Sequence, residues 1–274
     1  MKKLSVIFTL LLSFMLILSA CATSGDKAIN DNKKSGTNQS ADLLKNVKDQ
    51  GKILIGTEGT YAPFTYHDTS GKLTGFDVEI AEEVAKRLGV KPEFKETQWD
   101  SLFAGLDAKR FDMIANQVGI RPDRQEKYDF SNPYISSAGV LIAARDNDKV
   151  KSIADIKGLK SAQSLTSNYA DMAKKYGANI VGVDGFTQAV DLIESKRVDV
   201  TINDKIAFLD YKKKKPEARV KIVETETDVS RSGFMFRKNS MTLVDAVNKA
   251  LKDMVADGTY KKISEKWFGE DVLK

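Results

Sequence analysis

Ile53-Leu54-Ile55-Gly56-Thr57-Glu58-Gly59-Thr60-Tyr61-Ala62-Pro63-Phe64 changes character at its middle, where a short β-prone apolar run gives way to a loop of hydroxyls, glycines, one acid and two aromatics. Val78, Ala81, Val84, Ala85 and Leu88 follow at helical spacing, with Gly89 as the stop, so the stretch reads as strand, loop, helix. The alternation continues through Glu93 to Lys95, Leu102 to Leu106 and Met113 to Ala115. The second half repeats it with strands at Ser161 to Ser164, Ile180 to Val183, Val198 to Ile202 and Val220 to Val223, and helices at 168–176, 186–196 and 204–213. Leu243, Val247, Leu251 and Met254 predict one more helix, and Gly258-Thr259 separates it from another that runs toward Trp267-Phe268. This pattern predicts an α/β protein with largely parallel sheets. Ligands of open α/β sheets bind at the carboxyl ends of strands. That rule selects Glu58 to Tyr61, Asn116 to Arg124, Ser164 to Asn168 and Asn203-Asp204.

Composition narrows the function classes. The chain has 274 residues, 42% of them hydrophobic, enough for two modest domains or one large one. Its 43 basic residues stand against 38 acidic ones, a net charge of +5, but the lysines are scattered and no basic-aromatic motif accompanies them, so no nucleic-acid partner is expected. Lys212 to Lys215, before Pro216, reads as the cationic end of a helix. Cys21 is the only cysteine, so the body beyond it has no thiol for disulfide, zinc-thiolate or cysteine-nucleophile chemistry. It closes Leu18-Ser19-Ala20-Cys21 behind Met1-Lys2-Lys3 and an apolar run too short to span a membrane, the anatomy of a cleaved export signal over residues 1–20. Residues 21–42 carry little to bury and are expected to form a disordered tether.

Phosphate-binding glycine loops, nucleophile elbows and His-Glu-x-x-His helices are missing from the sequence. His67, the one histidine, lies in the turn chemistry of Tyr66-His67-Asp68-Thr69-Ser70-Gly71 and reads as an exposed hairpin residue. Asp146-Asn147-Asp148 lacks the glycine and closing glutamate of a calcium loop and reads as a plain loop, so neither cofactor nor metal is expected.

The remaining candidates each have a bland reading. Asn116 and Gln117 adjoin an apolar strand, and buried amides require polar partners. Gly119 permits close backbone approach, and Arg124, in a helix that Pro122 starts, offers a fork suited to a carboxylate, or an ordinary ion pair with Asp123 or Glu126. Thr166-Ser167-Asn168 precedes a helix and makes either an anion site or a simple cap. Asp204 either caps the next helix or receives an ammonium. Tyr61 and Trp99 are ligand cover or core, with Asp100 or Ser101 available to cap the helix after Trp99. Together they supply an anion fork, an ammonium acceptor and aromatic cover, the requirements of an amino-acid zwitterion.

These segments resemble the extracellular solute-binding proteins, family 3, of polar amino-acid ABC importers, over roughly Leu43 to Lys274. The resemblance rests on residues 56–64, on Leu73-Thr-Gly-Phe-Asp-Val-Glu-Ile80, on Gly119 to Phe130 with Arg124, and on Ala256-Asp-Gly-Thr-Tyr-Lys-Lys-Ile263. Within that family it points to L-cystine-binding lipoproteins through Glu96-Thr-Gln-Trp99, Ala115-Asn-Gln-Val-Gly119, Ser161 to Tyr169 and Lys266-Trp-Phe-Gly-Glu-Asp271. The resemblance implies a two-lobed, periplasmic-binding-protein-like fold (type II) with lobes joined by two crossing strands. Lobe 1 would be 43–138 plus 232–274, and lobe 2 would be 139–231. It also implies that Arg124 binds the α-carboxylate with help from the Gly119 and Ser167 N–H groups, and that Asp204 holds the α-ammonium with the backbone of Asn116 assisting. Tyr61 and Trp99 would pack on the ligand side chain, and Glu58, Gln117, Thr166 and Asn168 would line the pocket. Cys21 would carry the lipid that anchors a monomer to the outer face of the bacterial cell membrane, beside the transmembrane subunits of an ABC permease. L-cystine is the expected ligand. Another polar amino acid, a ligand sensor, or a lyase or dehydratase-like enzyme using Glu58 or Asp204 as acid or base are the alternatives.

Overall fold

The strand expected at residues 53–56 runs Lys52–Thr57 in the computed structural model, which describes residues 42–273, so Cys21, the signal and nearly all of the tether lie outside the described residues. This strand pairs in parallel with Lys91–Glu96 on one side and Met113–Ile114 on the other. Met235–Arg237 and Tyr128–Phe130 complete a five-stranded sheet, both reached through antiparallel pairings. A second five-stranded sheet has the order Asn179–Gly182, Lys160–Gln163, Val200–Asp204, Ile135–Ala144, Val220–Ser232. Its first three strands are parallel and its last three pair antiparallel. The expectation of largely parallel sheets therefore holds for only half of each. The antiparallel strands belong to the two passages of chain between the sheets, which must run against the strands they join.

Helices cover both sheets. In Phe76–Leu88 the side chains of Phe76, Ile80, Ala81, Val84 and Ala85 are fully buried, and Gly89 ends the helix at φ 73°, left-handed backbone that only glycine enters without steric cost. Met241–Ala256 buries Leu243, Val244, Val247 and Met254, and Thr259–Phe268 follows as expected. The Phe111 ring fills the space that glycine leaves at two points: an added Cβ would meet it at 2.6 Å from Gly56 and 2.7 Å from Gly105. Both positions are thereby closed to any side chain unless the ring moves.

Val220–Ser232 is the element the pattern underestimates. The apolar pattern predicts a strand only to Val223, since Glu224, Thr225, Glu226, Thr227 and Asp228 show no apolar alternation. The strand continues nevertheless by pairing with Ile135–Ala144, with register shifts between Ile222 and Glu224 and between Thr225 and Val229. Ladder hydrogen bonds to an apolar neighbour carry it.

The lesser expectations meet their geometry directly. His67 is exposed at the end of a short hairpin strand, Thr65–His67. Lys212 Nζ donates to the carbonyls of Pro216 (3.0 Å) and Ala218 (2.7 Å) beyond its helix end. Asp146 and Asp148 pair with Lys196 and Lys221.

Candidate functional site

A cavity with about 740 Å³ of empty space, open solvent at its mouth included, lies between the two sheets. Glu58, Tyr61, Trp99, Asn116, Gln117 and Gly119 line it from the first sheet's loops, and Ser167, Asn168 and Asp204 from the second's. Nine of the eleven expected ligand-site residues are thus brought together. Arg124 and Thr166 stand just behind the lining.

The polar partners that the amides require turn out to be protein carboxylates. Asn116, with no exposure, donates through Nδ2 to Glu58 Oε2 at 2.5 Å and accepts from the Glu58 N–H at 2.8 Å. Burial pushes the Glu58 carboxyl up to about 7, against the opposing Asn116 hydrogen bond and with the Asp100 charge adding to the rise. Gln117 lies on Asp77, a residue that nothing in the sequence singled out for the site. Asp77 is fully buried and pushed up to about 7 by that burial.

Arg124 is 6% exposed and lies 5.6 Å from the Trp99 ring centroid and 5.3 Å from that of Phe103. Nη1 donates to Gly119 O (3.1 Å) and Nη2 to Thr166 O (3.2 Å). Burial pulls its pKa down to about 10, which leaves it charged at neutral pH. Asp123, one candidate for its ion pair, is held by Arg121 instead, and among the described residues no carboxylate stands within ion-pair distance of Arg124. A buried guanidinium satisfied only by carbonyls, beside the wall residue Gly119, is an unspent cation.

The acidic counterpart is Asp204, which fulfils its bland reading as well as lining the cavity. Its Oδ1 accepts from Ile206 N (2.7 Å) and Ala207 N (3.3 Å), capping the helix Lys205–Lys214. Burial pushes it up to about 6, with the Ser137 hydroxyl and the two N–H groups holding it lower than burial alone would. Ser167 is a cap too: its hydroxyl accepts from Ala170 N at 3.0 Å, and its own N–H donates to Ser164 O at 3.0 Å. The Ser167 N–H expected to serve a carboxylate is therefore already engaged.

Several hydrogen bonds close the cavity's rim. Asp100, expected to cap its own helix, instead accepts from Leu165 N (3.2 Å), Thr166 N (2.9 Å) and Thr166 Oγ1 (2.7 Å), while Gln98 takes the N-cap position without a side-chain bond. Arg121 pairs with Asp171 at 2.9 Å, and Tyr61 OH donates to Asn203 Oδ1 at 2.7 Å. Trp99 Nε1 is buried with no hydrogen-bond partner among the described residues. Ser137, Ser230 and Ser232 of the crossing strands, with Gln163, Tyr169 and Thr201, also line the cavity. Gln163 and Tyr169 fall inside the Ser161 to Tyr169 stretch that carries the resemblance, whereas the sequence around Ser137, Thr201, Ser230 and Ser232 carries no signal for the cavity. Serines on a strand look like any solvated face.

Glu58, Asp77 and Asp204 all have carboxyls raised by burial, so the ligand-free folded chain binds more protons than the unfolded chain between about pH 4 and pH 7. Stability gained from protonating them is present at low pH and lost as pH rises through the folded values. Thermal denaturation without ligand is expected to give a lower Tm at about pH 8 than at about pH 5.5. A Tm that climbs with pH across that interval contradicts the assignment.

Comparison with known proteins identifies the family. Residues 53–270 match the model of the bacterial extracellular solute-binding proteins, family 3. The L-cystine-binding protein TcyA of Bacillus subtilis is 52% identical over 265 residues, covering 96% of this chain and 98% of the relative. Among solved structures, the L-cystine solute receptor of Neisseria gonorrhoeae in its unliganded open conformation is 53% identical, with a TM-score of 0.56 over 84% of this chain and 98% of that one. An ancestral arginine-binding protein bound to arginine is only 37% identical yet superposes better, at a TM-score of 0.76 over 80% of this chain and 98% of that one. The rim hydrogen bonds that tie the two sheets together agree with that ordering. The relatives are solute receptors and not enzymes, and the α/β, two-lobed type II architecture is theirs. This chain belongs to the bacterial extracellular solute-binding proteins, family 3.

Proposed function

We propose that the chain is the lipid-anchored receptor of an amino-acid ABC importer and that its ligand is L-cystine. The observation that carries the amino-acid reading is Arg124, buried and without a carboxylate partner among the described residues, placed behind a cavity whose other wall holds Asp204. A zwitterion satisfies both. Its carboxylate takes the guanidinium fork together with Gly119, its ammonium takes Asp204, and Tyr61 and Trp99 cover its side chain. The names of the relatives, an L-cystine-binding protein at 52% identity and an L-cystine receptor at 53%, support cystine over shorter amino acids. Glu58, Asn116, Gln117 and Asn168, with the serines of the crossing strands, supply the polar surface that a ligand with two zwitterionic ends requires, while Thr166 stands behind it with its hydroxyl and N–H on Asp100.

In this reading residues 1–20 are removed, Cys21 carries the lipid, and 21–42 tether a monomer to the outer face of the membrane. Lobe 1 is 43–138 plus 232–274 and lobe 2 is 139–231, divisions that fall within the strands Ile135–Ala144 and Val220–Ser232. Ligand contacts from both lobes favour closure, and the closed form delivers its cargo to the permease. A thermal-shift screen of amino acids, with L-cystine and L-cysteine in separate wells, tests the substrate. Binding to the folded form alone raises Tm by mass action, and the largest rise is expected with L-cystine. A larger rise with another amino acid and none with cystine would replace the ligand while keeping the receptor.

A further inference from the structure

Asp77 stands in the first turn of the helix Phe76–Leu88 with no exposed surface, and three donors converge on its carboxylate. Gln117 N–H reaches Oδ2 at 2.7 Å, Gln117 Nε2 reaches Oδ1 at 2.6 Å, and the Tyr134 hydroxyl reaches Oδ2 at 2.9 Å. Two of the three come from a single residue, so the carboxylate ties the main chain of Gln117 to its own side chain. Gln117 is also one of four non-glycine residues among those described with positive φ, at 51°, a left-handed conformation in which a Cβ crowds the following carbonyl. Such a conformation persists only where its surroundings over-determine it.

The chemistry of the clamp fixes more than the backbone. An ionised carboxylate accepts and never donates, so the Gln117 amide turns Nε2 toward Asp77 and its oxygen away from it. Among the described residues no protein group donates to Gln117 Oε1, and Gln117 lines the cavity. Around Asp77, Tyr134 supplies the remaining hydrogen bond, and Asp204 adds a like charge. We infer that Asp77 is a positioning residue of the cleft: by clamping both nitrogens of Gln117 it holds the strained cavity wall in place and makes Gln117 Oε1 the acceptor offered to an N–H donor of the ligand. This rests on the cavity's being the amino-acid site.

The test uses ¹⁵N-labelled protein at about pH 8, above the value of about 7 to which burial raises Asp77, so that the carboxylate is ionised. The Gln117 side-chain amide pair is assigned by its disappearance in Gln117→Glu. In Asp77→Asn, which keeps the shape but no longer accepts at both positions, those resonances are expected to shift. L-cystine affinity should fall about tenfold, the equivalent of one hydrogen bond. Gln117→Gly enters left-handed backbone freely and has no amide to orient. It should lose affinity by itself, and adding Asp77→Asn to it should change affinity less than about twofold, because coupled residues are not additive. Unchanged amide resonances in Asp77→Asn, or losses that multiply in the double variant, overturn the inference. A variant that fails to fold leaves the wild-type protein to decide: the Gln117 backbone N–H must exchange slowly with solvent, and exchange as fast as that of an open loop overturns the clamp. If wild-type protein binds no amino acid, the receptor reading fails on that measurement, and the clamp is judged by the amide resonances and exchange alone.

Discussion

Arg124→Ala is expected to weaken amino-acid binding by about 3–5 kcal/mol, at least a hundredfold, because a ligand carboxylate drawn into the cleft would lose its charged partner. The same substitution should cost the fold little. Arg124 is buried with two carbonyl acceptors and two aromatic faces but no carboxylate among the described residues, so its removal relieves an unpaired buried cation at the expense of those contacts. Affinity and stability are therefore expected to separate, with the Tm of the ligand-free protein nearly unchanged while calorimetric affinity collapses. Arg124→Lys should recover only part of the loss, since an ammonium cannot present two parallel donors. Near-normal affinity in Arg124→Ala, with the fold intact, removes the guanidinium from the site.

Asp204→Asn is expected to cost about 2–4 kcal/mol of affinity by stripping the charge from the ammonium's partner, without loosening the helix that Asp204 caps. Asparagine is as good an N-cap as aspartate, so the bonds from Ile206 N and Ala207 N survive. A neutral amide also escapes the burial cost that raises the carboxyl to about 6, and the ligand-free Tm should hold or rise. Asp204→Ala loses the cap as well, and should fall by roughly a further 1 kcal/mol in stability. The pair of variants separates the two roles that sequence left open. Wild-type affinity in Asp204→Asn would leave Asp204 as a cap alone.

Sequence reading succeeded where one side chain or one period carries the information. The strand through Ile53 and Ile55, the helix stripe from Val78 to Leu88 and the loops after strand ends all stand where their patterns place them. It fell short where the deciding interaction crosses the chain. Asp77 looks like any acid in a helix's first turn until Gln117, 40 residues on, closes over it. Asp100 looks like a cap until Thr166 arrives from the other sheet. Ser137, Ser230 and Ser232 acquire meaning only because two crossing strands bring them to the cavity. The burial of Arg124 without a countercharge was equally hidden, since Asp123 and Glu126 flank it in sequence and either could have been its partner.

Titration calorimetry of the wild-type protein with L-cystine tests the central claim most directly. The receptor account predicts saturable binding at one ligand per chain with a dissociation constant in the micromolar range or tighter, about 8 kcal/mol or more of net binding free energy. Saturable heat with another amino acid and none with L-cystine would contradict the cystine assignment alone, and absence of saturable heat with any amino acid, on folded protein, would contradict the receptor account.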